Sequence, residues 1–271
     1  MRPNGYGWKW IAILSLALFP ALSTPAQTTS VSSASSPQAV ALATSAIAAL
    51  TGRAQISDVT LTGTATRTAG SDIETGTITL KALGTADSRM DFVSSDGTRS
   101  EFRNSAGGVP QGSWIGPDGA SHAMAGHNCL TDAAWFFPTL TILSQASNPS
   151  VVVQYIGQET RNGASVQHLR FTQPPSATAD PAGLLASLST EDVYLDSASL
   201  LPASILFFTH PDNNAATNIA VEIDFSDYQP SNGVMVPFSI HELLNGSLFL
   251  DITIQSVSVN SGLPASEFAA Q

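Results

Sequence analysis

The segment Ile219-Ala220-Val221-Glu222-Ile223-Asp224-Phe225-Ser226 restricts the possible folds more than any other. Ile219, Val221, Ile223 and Phe225 share one parity, and Ala220, Glu222, Asp224 and Ser226 share the other. A period of two is what a strand with one dry face and one wet face requires. The chain from 191 to 268 continues as strand, turn, strand, with turns at Pro211-Asp212-Asn213-Asn214, Ser231-Asn232-Gly233 and Asn245-Gly246. Turns this short join antiparallel neighbours. The phase changes near Gln255-Ser256, because Ile252 and Ile254 have one parity while Val257 and Val259 have the other. A bulge is expected there.

The same grammar runs upstream. Strands are predicted over 58–67, 74–83, 87–93 and 98–103, carrying Val59 and Leu61, Ile78 and Leu80, then Met90 and Phe92. Ser113-Trp114-Ile115 lies between turn signals at Gly107-Gly108 and Pro117-Asp118-Gly119. Residues 150–159 and 165–171 form a further hairpin around Asn162-Gly163. Many short strands without β-α-β alternation predict a mainly β fold with a few helices, a curled antiparallel sheet or half-open barrel. Residues 38–50 place Val40, Ala43, Ile47 and Leu50 at helical spacing, with Pro37 at the start and Gly52 just past the end. Residues 128–143 also read as a helix, divided at Pro138. Residues 172–189 read as a loop with one short helix.

Three divisions follow. Residues 1–27 have signal-peptide grammar: Arg2 and Lys9, an apolar run from Trp10 to Phe19, Pro20, and small residues around Ala26. The apolar run falls short of the ~20 residues that span a bilayer, and no later segment spans one either. Residues 28–37 are a Ser/Thr-rich linker, and 38–271 form a single β domain. Loss of the first segment leaves eight basic residues against 21 acids, a formal net charge of −13. Lys81 is then the one lysine. Such a surface excludes nucleic acid, since phosphate binding needs clustered Lys and Arg. Cys129 is the single cysteine, so the core alone must hold the fold. Export to the periplasm or beyond is expected.

Catalytic signatures are weak. His122, His127, Cys129 and Asp132 lie close in sequence, but their spacing fits no established zinc pattern. A Cys129 nucleophile would need a histidine and an orienting Asn128 or Asp132 brought to it by the fold. No nucleophile elbow, phosphate loop or dinucleotide fingerprint is present. Neither a catalytic residue nor a cofactor or metal is assigned. The aromatic run Trp135-Phe136-Phe137 has two readings: a buried cap on the sheet, or rings lining or covering an apolar ligand pocket. These three are the candidate ligand-binding residues.

Several stretches together resemble the periplasmic lipoprotein-carrier (LolA/LolB-like) superfamily. They are the segment Asp132-Ala133-Ala134-Trp135-Phe136-Phe137-Pro138 after a strand meander, Val193-Tyr194-Leu195-Asp196, Leu201-Pro202, Phe225-Ser226-Asp227-Tyr228 and Gly233-Val234-Met235-Val236-Pro237. The tail Val259-Asn260-Ser261-Gly262-Leu263-Pro264-Ala265-Ser266-Glu267-Phe268 completes the set. The resemblance implies a half-open antiparallel barrel whose concave apolar surface is covered by the 38–50 helix and the 135–137 segment. It implies a non-enzymatic protein binding a lipid, acyl chain or lipoprotein. Alternatives of other classes are a structural or interaction module of the cell envelope, and a Cys/His hydrolase or metal enzyme.

Overall fold

A computed structural model describes residues 34–106, 108–173 and 184–269. The expected signal segment and residues 28–33 of the linker lie outside them, as do residues 174–183 of the predicted loop. The described chain is a 13-stranded antiparallel sheet. Its strands are β1 (Asp58–Ala69), β2 (Asp72–Leu83), β3 (Asp87–Ser94), β4 (Gly97–Ala106), β5 (Val109–Ile115), β6 (Ser121–Ala123), β7 (Val152–Arg161), β8 (Ala164–Thr172), β9 (Glu191–Asp196), β10 (Pro202–Thr209), β11 (Ile219–Ser231), β12 (Val234–Leu244) and β13 (Ser247–Val259). The order across the sheet is β6-β5-β4-β3-β2-β1-β13-β12-β11-β10-β9-β8-β7. Two meanders therefore meet where the first strand pairs with the last.

Hairpin chemistry sets the meanders. Asn162-Gly163, Asn232-Gly233 and Asn245-Gly246 all take positive φ at both positions, the type I′ geometry whose twist matches that of the strands. The expected bulge is present: Thr62 pairs with Ser256 while Gly63 pairs with Ile254, which leaves Gln255 as the extra residue of β13. The sheet bends hard beside it. A Cβ on Gly63 would lie 2.0 Å from the Thr253 carbonyl oxygen, and one on Gly76 2.0 Å from that of Val93. Glycine allows backbone to approach this closely, and such kinks curl a sheet.

The helix α1 (Pro37–Thr51) starts at Ser36, whose side chain accepts the Ala39 N–H, and ends at Gly52 with φ 56°. It buries Ala39, Ala43, Ala46 and Leu50. Small residues on that face let the helix sit close to the sheet; Ile47 packs against the core while partly buried, and Val40 is half-buried. Ser35 and Ser36 are tied to β7 through Val151 and Val153. α2 (Leu184–Leu188) is a single short turn.

The segment 128–143 differs from its sequence-based reading. It holds 3-10 turns at Gly126–Cys129 and Ile142–Ser147, with irregular turns between them, and no α-helix. Pro138 lacks a donor, and Asp132 takes the Ile142 N–H with its carboxylate. Tertiary bonds replace the helical ladder. One hydrophobic core joins α1, residues 134–143 and the inward face of the strands, from Val59 and Leu61 through Ile223 and Phe225 to Ile252 and Ile254. Among the described residues no helix is long and apolar enough to cross a membrane.

A candidate ligand cavity on the concave face

The connection from β6 to β7, residues 124–151, crosses the inward face and is bonded to both wings of the sheet. On one wing, Ser88 Oγ donates to the Ala133 carbonyl and Arg103 Nη2 to that of Thr131 at 2.9 Å. On the other, the Asp132 N–H donates to Glu191 Oε1. Asn128 completes this side, with its Nδ2 donating to the His210 carbonyl at 2.7 Å and its Oδ1 accepting the His210 N–H at 2.9 Å.

Trp135, Phe136 and Phe137 ride on this crossover. Their exposures are 8%, 1% and 2%, and all three belong to the core. Trp135 also lines a cavity of about 280 Å³, with Trp114, Phe207, Val221, Leu244, Glu101 and Glu242 around it. A second cavity of about 220 Å³ shares Glu101 and Trp114 with the first, and is mostly apolar, walled by Met90, Phe92, Ile115, Phe249 and Leu250. A third, of about 200 Å³, shares Arg103 and Thr131 with the first and holds Asp132, Glu191, Cys129 and Gln145. Phe136 and Phe137 do not line any of the three.

The electrostatics of this face are unusual for a sheet interior. Burial pushes the Glu242 carboxyl up to about 8, helped by the nearby Glu101 charge. Burial likewise raises Glu101, against the pull of Arg103. Desolvation takes Asp132 to about 6, although hydrogen bonds from Thr141 and Ile142 and the Arg103 charge oppose it. Glu191 is raised well above its ordinary range by burial and by the Asp132 charge. Buried carboxyls respond this way because their charged form loses water. At the apolar end, hydrogen bonds from Arg99 hold Glu74 below the usual carboxylate range, and Arg67 contacts the same carboxylate at 2.9 Å.

The sequence analysis singled out Asp132 but missed Glu101, Arg103, Glu191 and Glu242. A signal existed for two of them. Glu242 has the parity of the buried Val236 and Ile240, and Glu191 that of Val193 and Leu195, so each is an acid on an apolar face. For Glu101 and Arg103 the parity misleads. Phe102, between them, is buried on the opposite face, where Arg89 stacks on its ring at 4.9 Å.

The other candidate chemistry disperses. His122 stacks on Trp114 at 4.0 Å, and the His127 ring sits edge-on to His210 at 5.7 Å. The Cys129 thiol is 3% exposed, donates to the Ala125 carbonyl at 3.6 Å and is pushed up by burial. A thiol so placed is a poor nucleophile. Among the described residues, one group of metal-type ligands converges, Asp72, Glu74 and Asp96, and Glu74 there already binds two guanidinium groups.

No protein-family model matches the chain, and no curated protein matches it in sequence. Solved structures do match. An outer membrane lipoprotein-sorting protein domain from Vibrio parahaemolyticus aligns over 85% of this chain and 96% of its own, at 12% identity and a TM-score of 0.55. A DUF1329 family protein from Desulfovibrio piger aligns over 86% and 96%, at 13% identity and a TM-score of 0.55. A LolA superfamily protein from Nitrosomonas europaea aligns over 86% and 97%, at 10% identity and a TM-score of 0.48. At such identities the first two likenesses speak for the fold alone. The chain has the fold of these two structures.

Proposed function

We propose that the protein is an exported, non-enzymatic binder of a hydrophobic or lipid-like ligand held between the crossover and the curled sheet. The observation that carries this reading is the row of adjoining cavities, two lined in part by crossover residues and the apolar one by residues of the sheet. Protein interiors are normally close-packed, and space of this kind beside Trp114, Trp135 and Phe249 suits an acyl chain. Trp135 forms part of the lid over that space. Phe136 and Phe137, packed behind it, hold the lid in place. Export follows from the basic start, the short apolar run and the small residues before residue 28. The Vibrio domain is described as lipoprotein-sorting, and an acylated cargo fits the same cavity chemistry.

Native mass spectrometry of the purified protein, with solvent extraction of bound material, tests the reading. Co-purifying acyl species, or uptake of added fatty alcohol or lipopeptide, is the expected result. Trp135→Ala should weaken that uptake by about tenfold while leaving the fold intact. Neither bound lipid nor uptake would leave the alternative, an envelope interaction module. The burial of Phe136 and Phe137 favours that alternative, because it fills part of the concavity.

A further inference from the structure

Of the three adjoining cavities one is chiefly apolar, and the other two are of mixed and nearly equal polarity. The one beside Phe249 and Ile115 is walled chiefly by apolar side chains. The middle one mixes Phe207 and Val221 with Glu101 and Glu242. The third sets Arg103, Asp132 and Glu191 beside Leu130, Ile142 and Pro110. A ligand filling this row must be an amphiphile, with its tail toward Phe249 and its head among the polar groups of the other two cavities.

Glu191 indicates the head group. It is 3% exposed and lines the polar cavity, and its Oε1 accepts the Asp132 N–H. Its Oε2 is buried with no hydrogen-bond partner. An unpaired buried acceptor is costly, and a donor from a ligand removes that cost. Along the three cavities the walls carry Glu101, Glu242, Asp212, Asp132 and Glu191 against Arg103, Arg67 and Arg99. Glu74 occupies the last two arginines, which leaves Arg103 to act on Glu101, Asp132 and Glu191. These carboxyls can ionise to meet a cationic head, whereas an anionic head would only hold them protonated. We propose that the polar cavity at Glu191 and Asp132 binds the protonated amine of a single-chain amphiphile, Glu191 Oε2 accepting one of its N–H bonds. In the empty protein, burial and mutual repulsion keep a proton on the carboxyl pair. Entry of the ammonium group replaces that proton, which leaves to solvent.

This inference rests on the lipid-binding reading, and a chain-matched series separates the two. Dodecylamine, dodecanol and dodecanoate, each below its micelle concentration, are titrated into the purified protein at pH 7.5 and followed by tryptophan fluorescence. The amine should bind about tenfold more tightly than the alcohol, and the acid more weakly than either. Glu191→Gln keeps the Oε1 acceptor but puts a donor in place of Oε2, so it should abolish the preference for amine while alcohol binding persists. Asp132→Asn, which keeps the backbone bond to Glu191, should reduce the preference in the same direction and serves if the first variant does not fold. An amine no better than the alcohol, or a preference unchanged in a folded Glu191→Gln protein, overturns the head-group assignment and leaves lipid binding standing. Failure of all three probes overturns both.

Discussion

Asp58 shows how one side chain can close a domain. Its carboxylate accepts from the Ser261 N–H at 2.8 Å, Ser261 Oγ at 2.9 Å, the Gly262 N–H at 3.0 Å and Ser57 Oγ at 3.2 Å. Burial alone would raise this acid, but those hydrogen bonds outweigh it and hold it below its ordinary range. Asp58→Ala would remove the charged acceptor of four hydrogen bonds from otherwise exposed residues and should cost about 2 kcal/mol in urea unfolding, while Asp58→Asn should cost less. An alanine variant as stable as the parent would show that the tail is not anchored there. Cys129 is a second prediction at this scale. Its burial predicts no reaction with a thiol reagent in the folded protein and full reaction once the protein is unfolded. Rapid native labelling would contradict that. The quoted tail Val259-Asn260-Ser261-Gly262 was legible as a closing motif, but its partner stands about 200 residues earlier. No local pattern ties Ser261 to Asp58.

Among the elements, strands were far more legible than the crossover. Alternation survives in single sequence because a strand's two faces meet different environments whatever their partners. The crossover has no such local rule. Its Ala, Leu and Phe residues suit a helix by spacing, yet Asp132, Thr131 and Ala133 each bond to a different strand. Those tertiary bonds compete directly with the i to i−4 ladder and win, aided by Pro138. The bend in the sheet gives the prediction for this scale. Gly63→Ala puts a methyl against the Thr253 carbonyl and should destabilise by about 3 kcal/mol, read as a lowered urea midpoint with an unchanged slope. A neutral outcome would mean that β1 and β13 separate freely at the bulge. Gly70→Ala, in a turn with open space around it, serves as a comparison, although its positive φ of 65° adds a smaller strain.

For the whole molecule, the concave face determines the response to pH. Glu242 at about 8, Asp132 at about 6, and the raised Glu191 and Glu101 all favour the protonated fold. The unfolded chain releases those protons near pH 4. Their contribution to stability is therefore fully present below about pH 4 and is lost as pH rises through about 6 and then about 8. Asp58, Glu74 and Asp192 are lowered and act in the opposite sense, losing their contribution as pH falls below about 4. Thermal midpoints should therefore peak near about pH 5 and decline toward about pH 9. Glu242→Gln mimics the protonated acid and should flatten the alkaline part of that decline. A midpoint that climbs steadily from pH 5 to 9 would show that these carboxyls are not desolvated.

What the sequence determined by itself is whatever depends on residues near one another in the chain. That covers the strand faces, the Asn-Gly hairpins, the bulge near Gln255, the Pro37 and Gly52 ends of the helix, and with them an antiparallel, curled β fold. Only the tertiary structure decided that β1 pairs with β13, that Trp135 borders a cavity while Phe136 and Phe137 fill the core, and that Arg103 lies near both Glu101 and Glu191, with Glu242 close to Glu101. An inward apolar residue reads the same whether it touches another side chain or an open cavity. The difference lies in the curvature of the sheet, set where Gly63 and Gly76 let distant backbones approach.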